Sequence, residues 1–381
     1  MSNHPLTKNW RKVKLGEVAQ DIRDLYEPKP IEHLPYIGLE HIERNSLRLN
    51  SLGISSSTQS GKKRFNPGDV LFGSLRPYFR KVVRPKYSGV CSTDITVLRV
   101  KEGYDQHWLF YFIANQSFID YATKASEGTR MPRANWKSLA QTKWTMPPLA
   151  TQCRIASILS AFDDKIELNN KINQALEQMA QAIFKEWFVN FRFPGNEKVK
   201  MVDSEMGKIP EGWVIDCLGR IVDITSGKRP NQKPTSVNKV NDVPLIGANG
   251  VMGYVKDILY DEPMLIIGRV GTHGVVQRIN IPCWPSDNTL VIKSRYYEYV
   301  FNILKRIDYE SLNRGSTQPL ITQGDMKNYP IIIPAKTILQ MYEDKVSALF
   351  SEISSNARQN NSLETLRDML LPKLMSGEVR V

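Results

Sequence analysis

The chain has 381 residues, with 51 lysines and arginines against 39 aspartates and glutamates, which gives a formal net charge of +12. At about 150 residues per domain, this length predicts two or three domains, and a composition of 41% hydrophobic and 24% charged residues excludes wholesale disorder. No apolar run approaches the ~20 residues that span a bilayer, so we expect a cytosolic protein, and the positive charge favours a polyanionic partner such as nucleic acid.

The first part of the chain has the pattern of a mixed α/β domain. A Trp-x4-Leu-Gly element that starts at Trp10 opens it, and strand-like runs follow at Val70–Phe72 and Ile95–Leu98. A helix is predicted around His107–Phe118. We therefore predict a first domain over residues 1–148.

Positive charge is concentrated between Ser60 and Val90, where eight basic residues stand against the single acid Asp69. This stretch carries +7 of the net +12, and basic side chains with interleaved aromatic residues suit contact with phosphates, sugars and bases. A solvated basic face is the alternative. The candidates for DNA contact in this run are Lys62, Lys63, Arg64, Arg76, Tyr78, Arg80, Lys81, Arg84 and Lys86.

A polar loop around Gly128 follows near the end of the first domain. Its candidates for DNA contact are Arg130, Arg133 and Asn135, because arginine and asparagine are side chains that read base edges.

A long helix is predicted next, over residues 149–192. Apolar residues recur at alternating steps of four and three, which is the spacing of a coiled-coil seam. The residues predicted to pair with another helix are Ile155, Leu159, Phe162, Ile166, Asn169, Asn173, Leu176 and Ile183. The alternative is that the helix packs only on its own domain. Residues 193–212 are polar and lack periodicity, so we predict a linker there.

The second half of the chain repeats the first. Another Trp-x4-Leu-Gly element starts at Trp213, an offset of 203, while Gly128 and Pro147 match Gly315 and Pro334 at an offset of 187. A fixed register over about 60 residues indicates an internal duplication. We predict a second domain over residues 213–335, with strands at Met264–Ile267 and Thr289–Ile292 and a helix around Tyr297–Ile307.

The second domain has matching candidates for DNA contact but no basic run of comparable density. They are Arg269, Thr272 and His273 after the first predicted strand, Arg314, Ser316, Thr317 and Gln318 in the loop around Gly315, and Lys228 and Arg229 near its start. Arginine can form a bidentate fork with phosphate or guanine. The Gly268–Gly274 segment is not a phosphate-binding loop, because it lacks the Gly-Lys-Ser/Thr ending. Turn glycines and solvent-facing charges remain the alternatives.

A second long helix is predicted over residues 336–376. Its pairing residues are Leu349, Ile353, Asn356, Asn360, Leu363 and Leu370, with the seam broken at Arg367. Both seams place asparagine at the same two steps, and buried asparagine is a device that fixes register or partner choice. Because Pro372 also interrupts the seam, we expect the last turns of this helix to be shortened or kinked.

This layout, together with the phrases Phe188-Val189-Asn190-Phe191 and Met206–Trp213, resembles the specificity subunit of type I restriction-modification systems over essentially the whole chain. The resemblance implies an α+β fold: two mixed α/β target-recognition domains in a tandem pseudo-repeat, separated by two long helices that form an antiparallel coiled coil. Each domain would grip one half of a bipartite DNA target.

The resemblance also implies partners and cofactors. The partners would be double-stranded DNA, two modification (methyltransferase) subunits and restriction (translocase and nuclease) subunits, in a prokaryotic cytoplasm. This chain would have no catalytic site and would bind no cofactor or metal, while S-adenosylmethionine, ATP and Mg²⁺ would be used by the partner subunits.

Two other function classes stay open at this stage. One is a self-sufficient DNA methyltransferase or nuclease with an unrecognised active site, although the chain lacks a His-Glu-x-x-His metal site and a Gly-x-Ser-x-Gly elbow. The other is a coiled-coil scaffold with no role in DNA binding.

Overall fold

A computed structural model describes residues 9–128, 130–270, 274–312 and 320–381. The chain divides into two compact units. Unit 1 comprises Met1–Asn169 and Ala357–Val381, and unit 2 comprises Asn170–Asn356. Each unit therefore contains one α/β domain together with part of each long helix.

Unit 1 contains eleven strands within its described residues, in three sheets. The strands are β1 (Arg11–Lys14), β2 (Ala19–Asp21), β3 (Leu25–Tyr26), β4 (Pro35–Ile37), β5 (Gly53–Ile54), β6 (Lys62–Phe65), β7 (Val70–Gly73), β8 (Val82–Val83), β9 (Gly89–Cys91), β10 (Ile95–Val100) and β11 (Lys143–Met146). They form the sheets β1-β11, β2-β10-β7-β8 and β3-β6-β9-β4-β5, in which only β4 and β9 pair in parallel. The two predicted strands, now β7 and β10, are confirmed.

Four short helices complete the domain of unit 1, namely α1 (Leu15–Val18), α2 (Gln106–Ala114), α3 (Gln116–Lys124) and α4 (Trp136–Ala140). The helix predicted around His107–Phe118 is wrong in its continuity. Asn115 has an extended backbone (φ −68°, ψ 137°) and divides it into α2 and α3. Burial of Trp108 and Phe118 on both sides of this break places them in one aromatic core.

The first long helix, α5 (Leu149–Phe184), is followed by a π-helical turn at Lys185–Val189.

Unit 2 contains another eleven strands within its described residues. They are β12 (Met201–Ser204), β13 (Gly207–Pro210), β14 (Val214–Cys217), β15 (Asp223–Ser226), β16 (Val243–Gly247), β17 (Gly250–Val255), β18 (Met264–Gly268), β19 (Val276–Ile279), β20 (Trp284–Pro285), β21 (Thr289–Lys293) and β22 (Pro330–Ile333). The helices are α6 (Tyr297–Leu304), α7 (Gln323–Lys327) and the second long helix, α8 (Lys336–Ser376), which is shared with unit 1. The predicted strands β18 and β21 are confirmed, and α6 begins at the predicted residue.

The internal duplication is visible in the strand order of the two units. The sheet β2-β10-β7-β8 of unit 1 corresponds to β15-β21-β18-β19 of unit 2, and the pair β1-β11 corresponds to β14-β22. The unit 2 domain adds the sheets β12-β13 and β17-β16-β20. The main sheet of each unit is thus the same four-stranded antiparallel arrangement.

The Trp-x4-Leu-Gly elements make the same backbone contact in both copies. The amide of Leu15 donates to Thr142 O at 2.9 Å, and the amide of Leu218 donates to Tyr329 O at 2.8 Å. A β-carbon at Gly219 would lie 3.1 Å from Lys327 O, and one at Gly16 would lie as close to Ala140 O. Glycine is therefore required by close packing against the turn before β11 or β22.

The long helices run antiparallel within each unit. In unit 1, Asp163 of α5 contacts Arg367 of α8, and Asn169 contacts Asn360. Residue numbers therefore rise along α5 as they fall along α8. In unit 2, Asn356 contacts Asn173, and the rings of Phe184 and Tyr342 are 6.1 Å apart. The antiparallel pairing implied by the resemblance is confirmed.

The predicted linker, residues 193–212, contains regular structure. Strands β12 and β13 form a hairpin there, with Gly207 in the left-handed region (φ +94°) at its turn. The segment is also anchored, because Phe193 is buried and stacks on Trp213 with ring centroids 5.1 Å apart. The polar composition therefore reflects a two-stranded hairpin with few buried positions.

The expected shortening of α8 is also wrong. The helix continues to Ser376 with Pro372 inside it. Arg367 remains in the seam and is only 2% exposed, because carboxylates of both long helices satisfy its guanidinium. In the described part of the chain, none of the helices has the length and apolar character needed to cross a membrane.

Candidate nucleic-acid interface

Two polar loops of unit 1 lie side by side after the end of β7. They are loop 73–80 and loop 127–135, of which Thr129 lies outside the described residues. The amide of Arg76 donates to Pro132 O at 2.8 Å, and the amide of Ala134 donates to Ser74 O at 2.9 Å. These bonds join two segments that each contain predicted DNA contacts, so the segments form one surface.

Loop 73–80 has an unusual backbone. Arg76 and Arg80 both adopt the left-handed conformation, with φ of 52° and 48°, on either side of a 3-10 turn at Pro77–Phe79. Non-glycine residues in this region are strained, and such strain concentrates at ligand-binding sites. The turn leaves the Tyr78 ring 45% exposed, while Arg44 covers Phe79 with its guanidinium carbon 3.9 Å from the ring centroid. Tyr78 is therefore presented to solvent by a fixed turn.

Several lysines of the basic run are used inside the protein. Lys62 is 4% exposed and donates to Ser60 O at 2.5 Å, and burial lowers its pKa. Lys63 donates to Ile95 O at 2.8 Å, and Lys81 donates to Leu39 O. Lys62 and Lys63 lie in β6, which has β3 on one side and β9 on the other in the sheet. Lys62 is therefore buried in this sheet.

Two more basic residues of the run bind the long helices. Arg80 donates to Ala114 O at 2.7 Å and forms an ion pair with Asp368 at 3.3 Å, leaving its side chain 11% exposed. Lys86 lies 2.6 Å from Glu167 Oε2, and this hydrogen bond raises the pKa of Lys86. The basic residues between Ser60 and Val90 therefore do not form one continuous patch, because several of them bind other parts of the protein.

The remaining candidates in unit 1 are more available. Arg64 and Arg130 are exposed, and Arg133 is exposed while paired with Asp94 at 2.8 Å. Arg76 and Arg84 are partly buried, and each has an Nε atom for which the described residues supply no partner. Asn135 has a structural role as well, because its Oδ1 accepts from Lys137 N at the start of α4.

Arg269 occupies in unit 2 the position that Ser74 occupies in unit 1. Its carbonyl accepts from Ile321 N at 3.0 Å, which matches the bond between Ser74 and Ala134 in unit 1. Its guanidinium lies 3.5 Å from Ser226 Oγ, and its Nε atom is buried with no partner among the described residues. Ser226 also contacts Gln323. Neither Ser226 nor Gln323 was selected from the sequence, although Ser226 lies two residues before the Lys228-Arg229 cluster.

The other candidates of unit 2 are divided between described and undescribed segments. Lys228 and Arg229 are exposed, and the segment is held because Trp284 Nε1 donates to Lys228 O at 2.7 Å. Thr272, His273, Arg314, Ser316, Thr317 and Gln318 lie outside the described residues.

The predicted helix-pairing residues all face inward to some degree. Ile155, Leu159, Ile166, Asn169, Asn356 and Asn360 are buried, and Phe162, Asn173, Leu176, Ile183, Leu349, Ile353, Leu363 and Leu370 are partly buried. The amide of Asn169 donates to Asn360 Oδ1 at 2.8 Å in unit 1, and the amide of Asn356 donates to Asn173 Oδ1 at 2.9 Å in unit 2. The first asparagine of the α5 seam, Asn169, therefore pairs with the second of the α8 seam, Asn360, and Asn173 pairs with Asn356.

Known proteins similar to this chain match it along nearly its whole length. The model of the type I restriction modification DNA specificity domain matches twice, at residues 7–178 and 210–365. The chain belongs to this family.

Two relatives within the family match over nearly their full length. The type I restriction enzyme MjaIX specificity subunit of Methanocaldococcus jannaschii is 27% identical, with 99% of this chain and 95% of the relative covered. The HindI specificity subunit of Haemophilus influenzae is 23% identical, covering 97% of this chain and 100% of the relative. The crystal structure of a type I restriction-modification system S subunit from M. genitalium shares the fold, with a TM-score of 0.60 at 14% identity over 98% of both chains.

The family fits the site geometry. Each specificity domain has a loop with an arginine after the central strand of its main sheet, and this loop is joined to a second polar loop or to the residues that follow it. Among the described residues, no group of three or more His, Cys, Asp or Glu side chains could hold a metal ion. The chain is a type I restriction-modification specificity subunit, with two DNA target-recognition domains in tandem.

Proposed function

We propose that each target-recognition domain reads one half of a bipartite, asymmetric DNA sequence and that the paired long helices set the distance between the halves. The observation that carries this proposal is the duplication: both domains repeat the same sheet, and each places an arginine loop after its central strand. The first long helix, α5, has 36 residues and is about 54 Å long at 1.5 Å per residue, which corresponds to roughly 16 base pairs of B-DNA. Two short half-sites with an unread gap fit this length.

The contact residues follow from exposure and unmet hydrogen bonding. In the first domain they are Arg76 and Tyr78 of loop 73–80, with Arg130 and Arg133 beside them. In the second domain they include Arg269, supported by its unpartnered buried Nε atom among the described residues, and the exposed Lys228 and Arg229. Arginine can read guanine bidentately, whereas exposed lysine contributes contact with phosphate.

The chemical steps belong to partner subunits in this proposal. Two modification subunits would dock on the helices and use S-adenosylmethionine, while restriction subunits would use ATP and Mg²⁺. The chain itself would bind none of these cofactors and would act in the cytoplasm of a prokaryote. The names of the relatives, which are specificity subunits of type I restriction enzymes, support this assignment.

The test is to map modified adenines in a genome that carries this chain with its modification subunits. We expect one asymmetric motif with two short defined segments and an undefined spacer. A single continuous motif would contradict the division between two domains. Methyl transfer or cleavage by the purified chain alone would instead favour a self-sufficient enzyme, and a complex without salt-sensitive DNA binding would favour a pure scaffold.

A further inference from the structure

Arg367 lies in the seam of the long helices in unit 1 and is 2% exposed. Its guanidinium lies 2.6 Å from Asp163 of α5 and 3.1 Å from its neighbour Asp368. Asp163 also accepts a hydrogen bond from the Tyr111 hydroxyl at 2.5 Å. A buried guanidinium is costly unless charged partners satisfy it, so these contacts define a fixed arrangement of both helices with α2.

The network continues from the helices to the DNA-binding candidate loop. Asp368 Oδ1 lies 3.3 Å from Arg80 Nη2, and Arg80 Nε donates to Ala114 O at 2.7 Å. Arg80 is the residue at which the 3-10 turn of loop 73–80 ends, in a left-handed conformation. Asp368 and Ala114 therefore hold the side chain at one end of the strained turn.

The other end of the turn is held by the second loop. The amide of Arg76 donates to Pro132 O, and the amide of Asn45 donates to Phe79 O at 3.2 Å. Between these anchors only Tyr78 is exposed, and the Nε atom of Arg76 has no partner among the described residues. Tyr78 thus lies between two held ends of the turn, Arg76 at one end and Arg80 at the other.

Unit 2 has no counterpart of this network at the matching positions. At the offset of 187, Asp163 corresponds to Phe350, Arg367 to Ala180 and Asp368 to Gln181. Ala180 is 1% exposed in an apolar cluster, and the Phe350 ring lies 3.5 Å from the guanidinium carbon of Arg278. At these matching positions the seam is therefore ionic in unit 1 and uncharged in unit 2, where Glu343 of α8 instead accepts hydrogen bonds from the amides of Glu298 and Tyr299.

We infer that Asp368 is a positioning residue for DNA recognition. It holds Arg80 so that loop 73–80 presents Arg76 and Tyr78 in one orientation, which makes the reading of one half-site depend on the pairing of the long helices. The half-site read by the second domain would not depend on these ionic groups, because the matching positions of unit 2 are uncharged. This inference rests on the proposed function.

The experiment compares the complete complex with modification subunits carrying wild-type chain, Asp368→Asn or Asp368→Glu. Asp344→Asn, at an exposed acid of α8 that contacts Gln340, is the matched control. Exchange of residues 1–148 with those of a relative first assigns the half-site of the first domain. Binding is then measured on the cognate duplex and on duplexes with one mismatched base pair in either half, each of which weakens wild-type binding about tenfold or more.

For Asp368→Asn we expect the discrimination at the first half-site to fall about fivefold, with discrimination at the second half-site unchanged. Asp368→Glu should restore discrimination, and Arg80→Gln should reproduce the loss without adding to it in the double variant. Unchanged discrimination at the first half-site, or equal loss in both halves, would overturn the inference. If the exchange of residues 1–148 altered neither half-site, the proposed function would fail, whatever Asp368 does.

Discussion

The side-chain amide of Asn169 on α5 donates a 2.8 Å hydrogen bond to Asn360 Oδ1 on α8, and both residues are buried. The same amide donates to Gln359 at 2.7 Å. Buried asparagine in a helix seam exchanges stability for a defined register. Hydrogen bonding of this kind between repeated positions explains why the sequence places asparagine at the same steps in both helices.

Replacing Asn169 by leucine should lower the free energy of unfolding by about 1–3 kcal/mol. The reason is that the buried Asn169 amide donates two hydrogen bonds, one to Gln359 and one to Asn360, and both are lost. The double variant Asn169→Leu/Asn360→Leu should recover part of this loss, since both polar groups are then removed. Thermal or denaturant unfolding of both variants measures the difference. A double variant as damaged as the sum of the single ones would contradict the pairing.

Replacing Asp163 by asparagine should destabilise the chain by about 3 kcal/mol, because buried Arg367 loses its 2.6 Å charged partner. The matched control is Glu186→Gln, which breaks an exposed pair with Arg192 and should cost less than about 1 kcal/mol. Unfolding in denaturant measures both. Equal effects of the two substitutions would show that the seam does not depend on the buried ion pair.

We expect Glu343 to make the stability of unit 2 depend on pH. Burial raises its pKa to about 7 from 4.5, and it accepts hydrogen bonds from the backbone amides of Glu298 and Tyr299. Because the folded pKa is the higher one, its contribution to stability is complete below pH 4.5 and is lost as the pH rises through 7. The loss is about 3 kcal/mol at most.

The variant Glu343→Gln should therefore remove a fall in stability between pH 5 and pH 8 that the wild type shows. Melting temperatures of the wild type and the variant across this range provide the comparison, with Glu352→Gln, at an exposed position of α8, as the control. A wild-type curve parallel to that of Glu343→Gln would be inconsistent with a raised pKa.

Alanine at Arg76, Arg130 and Arg133 should weaken DNA binding by the assembled complex at all sequences. The slope of log K against log salt should fall by up to about 0.9 for each phosphate contact removed. Lys165→Ala, at an exposed position of α5, removes a positive charge outside the loops and should leave the slope nearly unchanged. Binding titrations at several salt concentrations decide, and an unaltered slope in the triple variant would exclude these arginines as phosphate contacts.

Local patterns in the sequence were sufficient to predict the repeated architecture. Trp-x4-Leu-Gly elements recur because Leu15 and Leu218 make the same backbone bond, and alternating steps of four and three predicted both long helices. Short apolar runs predicted β7, β10, β18 and β21, since these strands are buried on both faces.

Contacts distant in sequence could not be predicted in the same way. Arg367 interrupts an apolar pattern, and its partner Asp163 is 204 residues away, so only the fold reveals that the two satisfy each other. The basic run has a similar explanation: Lys62 is enclosed by strands, and Arg80 is held by Asp368 of α8. Charge density along the chain did not distinguish these internal roles from DNA contact.

The proposed function requires that the two domains read their half-sites independently of each other. Its most direct test is to exchange residues 1–148 for the corresponding part of a relative and to map the modified bases produced by the complex. We predict that one segment of the bipartite motif changes while the other segment is retained. A change in both segments, or in neither, would contradict the account.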